Sequence, residues 1–228
     1  MTSRFPLLAS LLLSGLAGLT SCAITDQADE VTPSGFLDDV SQLRAGVGGE
    51  ARLVYRAPGL DLSSYRAVLV ETVEVWPTIE NAAAPKKELE RLAVLLRRTL
   101  IDRLERDHRV VPNRGEGVLV VRAALTEAAG SNVPLDAATA VIPIARAISV
   151  GQKLATGTHA FVGSAAVEAE VLDGGSGERL MAGIDRRVGN KVVRDAFSEW
   201  GDVEGAFDAW ADQLAKRLRT EGFPPRDP

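Results

Sequence analysis

Two runs, residues 161–172 and 179–188, meet at Asp173-Gly174-Gly175-Ser176-Gly177-Glu178; in the first, Val167 to Val171 alternates apolar or small side chains with acids, and the second is apolar or small from Leu180 to Ile184. Period-two alternation marks a strand that buries one face. The glycine-rich hexapeptide supplies the positive φ that a tight reversal needs. The segment predicts an antiparallel hairpin. If Asp173 and Glu178 close its loop, Val171 faces Leu180, Ala169 faces Ala182 and Val167 faces Ile184, three apolar pairs on one face. Glu168, Glu170 and Asp185 then share the opposite face, as on the solvated side of a sheet. A slip of one residue would exchange the faces, so the register is sharply specified.

The remaining elements follow from periodicity. Ala67 to Trp76 carries Val68, Val70, Val73 and Val75, and reads as a strand ended by Pro77. From Lys86 to Asp107, Leu89, Leu92, Leu96, Leu100 and Leu104 recur at three- and four-residue steps, one stripe of a helix that Pro85 can start. Arg52 to Tyr55 reads as a short edge strand, and Val110-Val111 and Val118 to Leu125 as strands either side of the turn-like Asn113 to Gly117. A last helix, Val203 to Thr220, places Val203, Phe207, Trp210, Ala211, Leu214 and Leu218 on its apolar stripe. Asp202 is expected to cap it, early acids and late bases suit its dipole, and Gly222 ends it. Residues 35–64 are irregular. Residues 128–159 carry little charge beyond Asp136, Arg146 and Lys153, with a helix expected near Ile144 to Leu154. The order predicts an α+β (or α/β) fold: one two-layer sandwich, a mixed sheet with both helical stripes on the same face.

The N-terminus carries a different signal. Arg4 precedes a leucine-rich stretch from Phe5 to Leu19, shorter than the roughly 20 apolar residues a spanning helix needs. Leu19-Thr20-Ser21-Cys22 resembles the bacterial lipobox, in which a small residue precedes a cysteine that becomes diacylglyceryl-modified. That signal implies cleavage before Cys22 and acylation of the new amine, giving an anchor of several chains, which binds stably where one does not. Cys22 is the only cysteine of the chain, so no internal disulfide can form, and acylation removes a thiol that export would expose to oxidation. Ala23 stands where an aspartate would retain a lipoprotein at the inner membrane, so the outer membrane is expected. The organisation reads as signal peptide 1–21, lipidated flexible tether 22–34, a single domain 35–222 and a disordered tail 223–228.

No residue set reads as a catalytic, cofactor or metal centre. Gly-x-Ser-x-Gly is absent, and Gly163-Ser164 runs into a strand. The two histidines, His108 and His159, read as ordinary surface or terminal residues. The Asp173–Glu178 loop lacks the lysine and following helix of a phosphate loop. Glu168, Glu170 and Asp185 could in principle gather a hard cation, and Glu168 with Glu170, roughly 7 Å apart along a strand, could form a hydrolytic acid pair, but a solvated face explains them more simply. Trp76, Trp200 and Trp210 read as core or rim residues. A net charge of −5 with mixed acids and bases does not suggest nucleic-acid binding.

Several segments together resemble an uncharacterised bacterial lipoprotein family, domain-of-unknown-function family 3313. They are Ser34-Gly35-Phe36-Leu37, Leu60 to Tyr65 leading into Val73-Glu74-Val75-Trp76, Gly163 to Glu170, the Asp173–Glu178 turn, and Trp200-Gly201-Asp202-Val203 with Phe207 and Trp210-Ala211. The turn departs from the expected Ser/Thr-rich pattern through Gly174-Gly175-Ser176. The resemblance implies an exported, lipid-anchored domain and carries over no activity or ligand. The expectation is a non-enzymatic interaction or envelope-assembly module on the periplasmic face of the outer membrane, held to the membrane through Cys22 and meeting an envelope protein partner. The alternative is a small-ligand-binding lipoprotein using residues 128–159 as a pocket wall.

Overall fold

The computed structural model describes residues 25–76, 85–130, 163–189 and 200–226. Eight strands form one sheet: β1 (Thr25–Gln27), β2 (Arg44–Ala45), β3 (Leu53–Arg56), β4 (Ala67–Val70), β5 (Glu74–Val75), β6 (Val118–Ala129), β7 (Ser164–Asp173) and β8 (Arg179–Gly189). Helix α1 (Lys86–Leu104) lies between β5 and β6, and α2 (Gly201–Thr220) follows β8. Three long antiparallel strands, β6, β7 and β8, form the centre. Short strands flank them in pairs. Along β6 lie β4 and β5, both parallel to it; along β8 lie β3 and β1, both antiparallel. The parallel pairing requires a crossover, and α1 provides it. The mixed sheet and α+β class are as expected from the sequence.

The long strand expected at Ala67 to Trp76 is interrupted. After Val70 the chain leaves the ladder, and Arg97 of α1 donates from Nε and Nη2 to the carbonyl oxygen of Val70 (3.2 and 3.0 Å) and from Nε to that of Glu71 (3.1 Å). A guanidinium on the helix thus takes carbonyls the sheet no longer pairs. The expected Val110-Val111 strand reduces to one bridge between Val110 and Val68.

The hairpin forms, and its turn closes where the sequence places it. The amide N–H of Asp173 donates to the Glu178 carbonyl (2.9 Å), and Asp173 Oδ1 accepts from the amides of Gly175 (2.9 Å) and Ser176 (2.6 Å). The register beyond the turn differs from the expected one. Leu172 pairs with Arg179, but Val171 pairs with Met181, Ala169 with Gly183 and Val167 with Asp185. Leu180 is the extra residue of a β-bulge, and one extra residue moves every later β8 side chain to the other face. Asp185 therefore lies on the side of Val167, and Ile184 lies beside Glu168. A second bulge, at Thr126, shifts β6 against β7.

Both helices cover one face. Leu89, Leu92, Leu96, Leu100 and Leu104 of α1 join Val203, Phe207, Trp210, Ala211 and Leu218 of α2 in one buried cluster with Val68, Val121, Leu125 and Val167 of the sheet. Each leucine so buried contributes roughly 1.5–3 kcal/mol. The expected cap at Asp202 does not form: Trp200 occupies the N-cap position, and its side chain makes no capping hydrogen bond there. Asp202 instead accepts the amide N–H of Gly163 (2.7 Å). It fits because Gly163 and Gly189 have no side chains there, and a Cβ on Gly189 would run into the Asp202 carboxyl.

The second face is covered by irregular chain. Phe36 and Leu37 pack with Ala124, Ala182 and Ile184, joined by Val31, Val40 and Trp76. The flexible tether expected at 22–34 is thus corrected from residue 25 onward, because β1 pairs with β8 and Val31 joins this second core.

The disordered tail expected at 223–228 is corrected over residues 223–226, while residues 227 and 228 lie outside the described residues. The Gly222 amide donates to Arg219 O (3.1 Å) and the Phe223 amide to Leu218 O (3.0 Å), a Schellman closure with Gly222 at φ +87°. Phe223 is buried, its ring 4.5 Å from that of His108, and the Arg226 amide donates to Asp107 O (2.6 Å). His108 is buried rather than exposed, with Nδ1 2.9 Å from the Pro224 carbonyl oxygen. That carbonyl can only accept, so Nδ1 carries the proton. Among the described residues Nε2 has no partner. Burial, with Arg219 and Arg103 nearby, holds the His108 pKa below the ordinary histidine value, against the Pro224 carbonyl and Asp107.

A histidine whose folded pKa is depressed contributes stability that is full above its unfolded pKa, about 6.5, and is lost as pH falls toward the folded value. Urea unfolding of wild type and His108→Gln at pH 8, 6.5 and 5 should show wild type losing stability relative to the variant on acidification. The slope should not exceed ~1.4 kcal/mol per pH unit. Parallel curves would remove His108 as the titrating group.

Candidate functional site

The three acids that the sequence places on one solvated face are all buried, and they separate. Glu168 sits in the middle of β7 and accepts the amide N–H of Ser34 at Oε1 and that of Leu37 at Oε2 (3.1 Å). Glu170, two residues along the same face, lies between Arg122 Nη1 (2.5 Å) and Arg179 Nε (2.7 Å). The Arg122 guanidinium also lies 5.1 Å from the centroid of Phe36, whose ring meets Trp76 edge-on at 5.3 Å. Trp76 Nε1 donates to the Ser34 carbonyl oxygen (3.2 Å). Asp185 faces the helices: Oδ2 accepts from Trp210 Nε1 (2.8 Å), and Oδ1 accepts from the Arg52 amide (3.0 Å) and Gln27 Nε2 (2.5 Å).

Burying a carboxylate is costly unless its lone pairs are satisfied. Here Glu168 fastens residues 34–37 to the sheet, and Asp185 ties β1 and the start of β3 to α2. Both oxygens of each of the three carboxylates are engaged. Among the described residues no three acids or histidines come together as metal ligands do. The tryptophans do not share a groove: Trp76 packs under the N-terminal segment, and Trp210 belongs to the helix-side core. His159 and most of segment 128–159 lie outside the described residues.

A feature the sequence reading missed lies between the helices and the sheet. Ala123, Ala169, Gly183 and Val54 stand side by side on β6, β7, β8 and β3. Three of the four are Ala or Gly, so the row is a trough. Larger neighbours bound it: Val121, Val171 and Met181 on one side, Leu125 and Val167 on the other. Leu96 and Leu100 of α1 and Trp210 and Leu214 of α2 roof it, leaving a cavity of about 140 Å³. The alignment was hidden in the sequence because it exists only in the bulged register.

Charged residues frame the open end of the trough: Arg44, Glu50, Arg56 and Arg217, with Glu221 behind. Arg217 pairs with Glu50 and, at 3.3 Å, with Glu221, and Arg56 Nε donates to Glu221 Oε2 (2.7 Å). Burial acts to raise the Glu50 pKa, but the Val47 amide and the Arg217 guanidinium outweigh it and hold the carboxyl below its ordinary value.

A second place of interest is the pole where β1 begins. Thr25 is buried opposite Gly189, and Arg187 holds it through Nε to Oγ1 (2.9 Å) and Nη2 to the carbonyl oxygen (3.0 Å). Thr25 therefore lies where β8 ends, β7 begins and Asp202 of α2 sits. Cys22 lies outside the described residues, three positions before Thr25.

The family described as "Protein of unknown function (DUF3313)" matches residues 32–214. No curated protein matches the chain. Among solved structures, a singly substituted PelC dodecamer from Paraburkholderia phytofirmans is similar at 13% identity, covering 71% of this chain and 92% of that one, with a TM-score of 0.38. Lipoprotein GNA1162 from Neisseria meningitidis is similar at 12% identity, 68% and 99% coverage and a TM-score of 0.34. A putative neuraminyllactose-binding hemagglutinin homolog from Helicobacter pylori is similar at 11% identity, 78% and 89% coverage and a TM-score of 0.30.

Glu168→Ala should cost about 3 kcal/mol, since two buried amides lose a charged acceptor. Glu168→Gln, which keeps one acceptor oxygen, should cost less. Urea denaturation reads both, and limited proteolysis should cut Glu168→Ala sooner within residues 28–43. Equal stability of wild type and Glu168→Ala would show that the carboxylate does not fasten this segment.

Proposed function

The chain belongs to the DUF3313 family of proteins of unknown function, and on that premise we propose that it is a lipid-anchored envelope protein whose domain acts by binding rather than by catalysis. The observation that carries the reading is the spacing between the lipobox cysteine and the sheet. Cys22 precedes Thr25 by three residues, which span about 10 Å at most when extended. An acylated Cys22 therefore holds the domain close against the bilayer, with the pole of β1, the end of β8 and the start of α2 toward the lipid. No helix among the described residues is long and apolar enough to cross a membrane. Ala23 favours the outer membrane, with the domain on its periplasmic face.

Binding rather than catalysis is supported by the use made of the acids. Glu168, Glu170 and Asp185 hold segments together, and their neighbours are structural. The partner on this reading is an envelope protein that meets the domain near the lipid surface. A second reading, a small-ligand-binding lipoprotein, is favoured by the trough beneath the helices rather than by the 128–159 segment.

Intact mass of the membrane-extracted protein should give a chain starting at Cys22 with three acyl groups. After a high-salt wash the wild type should stay with the outer-membrane fraction, whereas Cys22→Ser should not carry the acyl mass or the same partition. A Cys22→Ser chain with unchanged mass and outer-membrane partition would overturn the anchor. A turnover activity in the purified protein, lost on Glu168→Gln, would overturn the binding reading.

A further inference from the structure

The trough has the shape and charge of a site, and we propose that it binds a small anionic amphiphile: a short unbranched apolar tail carrying a single carboxylate-type head. The proposal rests on the binding reading above but not on the anchor.

The tail position follows from the row Ala123, Ala169, Gly183 and Val54. Four adjacent strands are separated by three spacings of about 4.8 Å, so the trough runs roughly 14 Å across the sheet, perpendicular to the strands. Its walls are methyl and methylene groups of Val121, Val167, Met181, Leu96 and Leu100, with the Trp210 indole above. Apolar cavities near 150 Å³ stay dry and take up a ring-sized apolar guest. A volume of about 140 Å³ therefore suits a tail of that class, not a whole phospholipid.

The head position follows from the mouth. Arg44, Arg56 and Arg217 stand at the mouth with Glu50 and Glu221, and Asp185 lies deeper. The two signs differ in depth: the arginine side chains are 58, 46 and 31% exposed, the glutamates 12 and 3%. Cations thus lie outermost where an incoming head would dock, and a carboxylate matches their donors bidentately. Deeper in, Asp185 has its oxygens taken by Trp210, Arg52 and Gln27, and its charge keeps an anionic head at the mouth. A cationic amphiphile meets the opposite arrangement.

The test is equilibrium dialysis of radiolabelled octanoate against the full chain in lipid nanodiscs, with empty nanodiscs as the blank. The expected result is saturable binding of one octanoate per chain, with octylammonium at least tenfold weaker. Ala169→Leu, which puts a branched side chain into the middle of the row, should reduce octanoate binding at least tenfold with circular dichroism unchanged. If that variant fails to fold, Ala123→Val is the substitute. Arg217→Gln should weaken octanoate severalfold while leaving octanol binding within twofold. No saturable octanoate above the blank overturns the ligand and leaves the protein-partner reading standing. Undiminished binding in Ala169→Leu overturns the location, and equal binding of octylammonium overturns the charge selection.

Discussion

One extra residue in β8 decides what each face of this sheet can do. Leu180 bulges out between Arg179 and Met181, and from there every side chain of β8 changes sides relative to an unbroken hairpin. The carboxylate of Asp185 is thereby placed under α2, where Trp210, Arg52 and Gln27 satisfy it. Gly183 comes into line with Ala169 and Ala123, and the trough exists because they align. Ile184 turns to the opposite face and gives Phe36 and Leu37 something to pack on. Without the bulge, Asp185 would sit beside Glu168 among the residues that cover the second face.

That second face inverts the usual economy of a two-layer α+β protein. Helices cover one side by packing leucine against valine. The other side is covered by irregular chain whose amides have no ladder to join, and such chain can be buried only if those groups find partners. Glu168 gives two of them a charged acceptor, and Trp76 donates to the Ser34 carbonyl between them. Glu170, Arg122 and Arg179 close the same surface, and Arg179 Nη1 reaches the Asp39 carbonyl oxygen (2.7 Å). A charged centre here does the work that a helix stripe does on the opposite side.

What was legible in the sequence follows from range. The stripes of α1 and α2, the alternation of β7 and the apolar run of β8 are local patterns, and they gave the elements, the class and the shared face of the helices. The turn at Asp173–Glu178 was legible for the same reason. The bulge was not, because Leu180 is as apolar as its neighbours and either register buries apolar residues. The pairings of Glu168 with residues 34–37 and of His108 with Pro224 span 131, 134 and 116 positions. No spacing rule reaches that far, so polar residues of a strand face and a chain end read as solvated when they are buried. The trough was invisible on both counts, since small residues are unremarkable singly and align only across strands.

The flanking of the three central strands has a consequence for how copies of this protein can meet. The outer edge of β8 carries β3 along 181–184 and β1 along 187–189, and that of β6 carries β4 along 118–121 and β5 along 124–125, none longer than four residues. Beyond β3 stands only the two-residue β2. Among the described residues the sheet therefore presents interrupted borders, with no long row of unpaired backbone groups on which another chain could template itself. On the described residues, a second copy adding a strand would meet only these short borders.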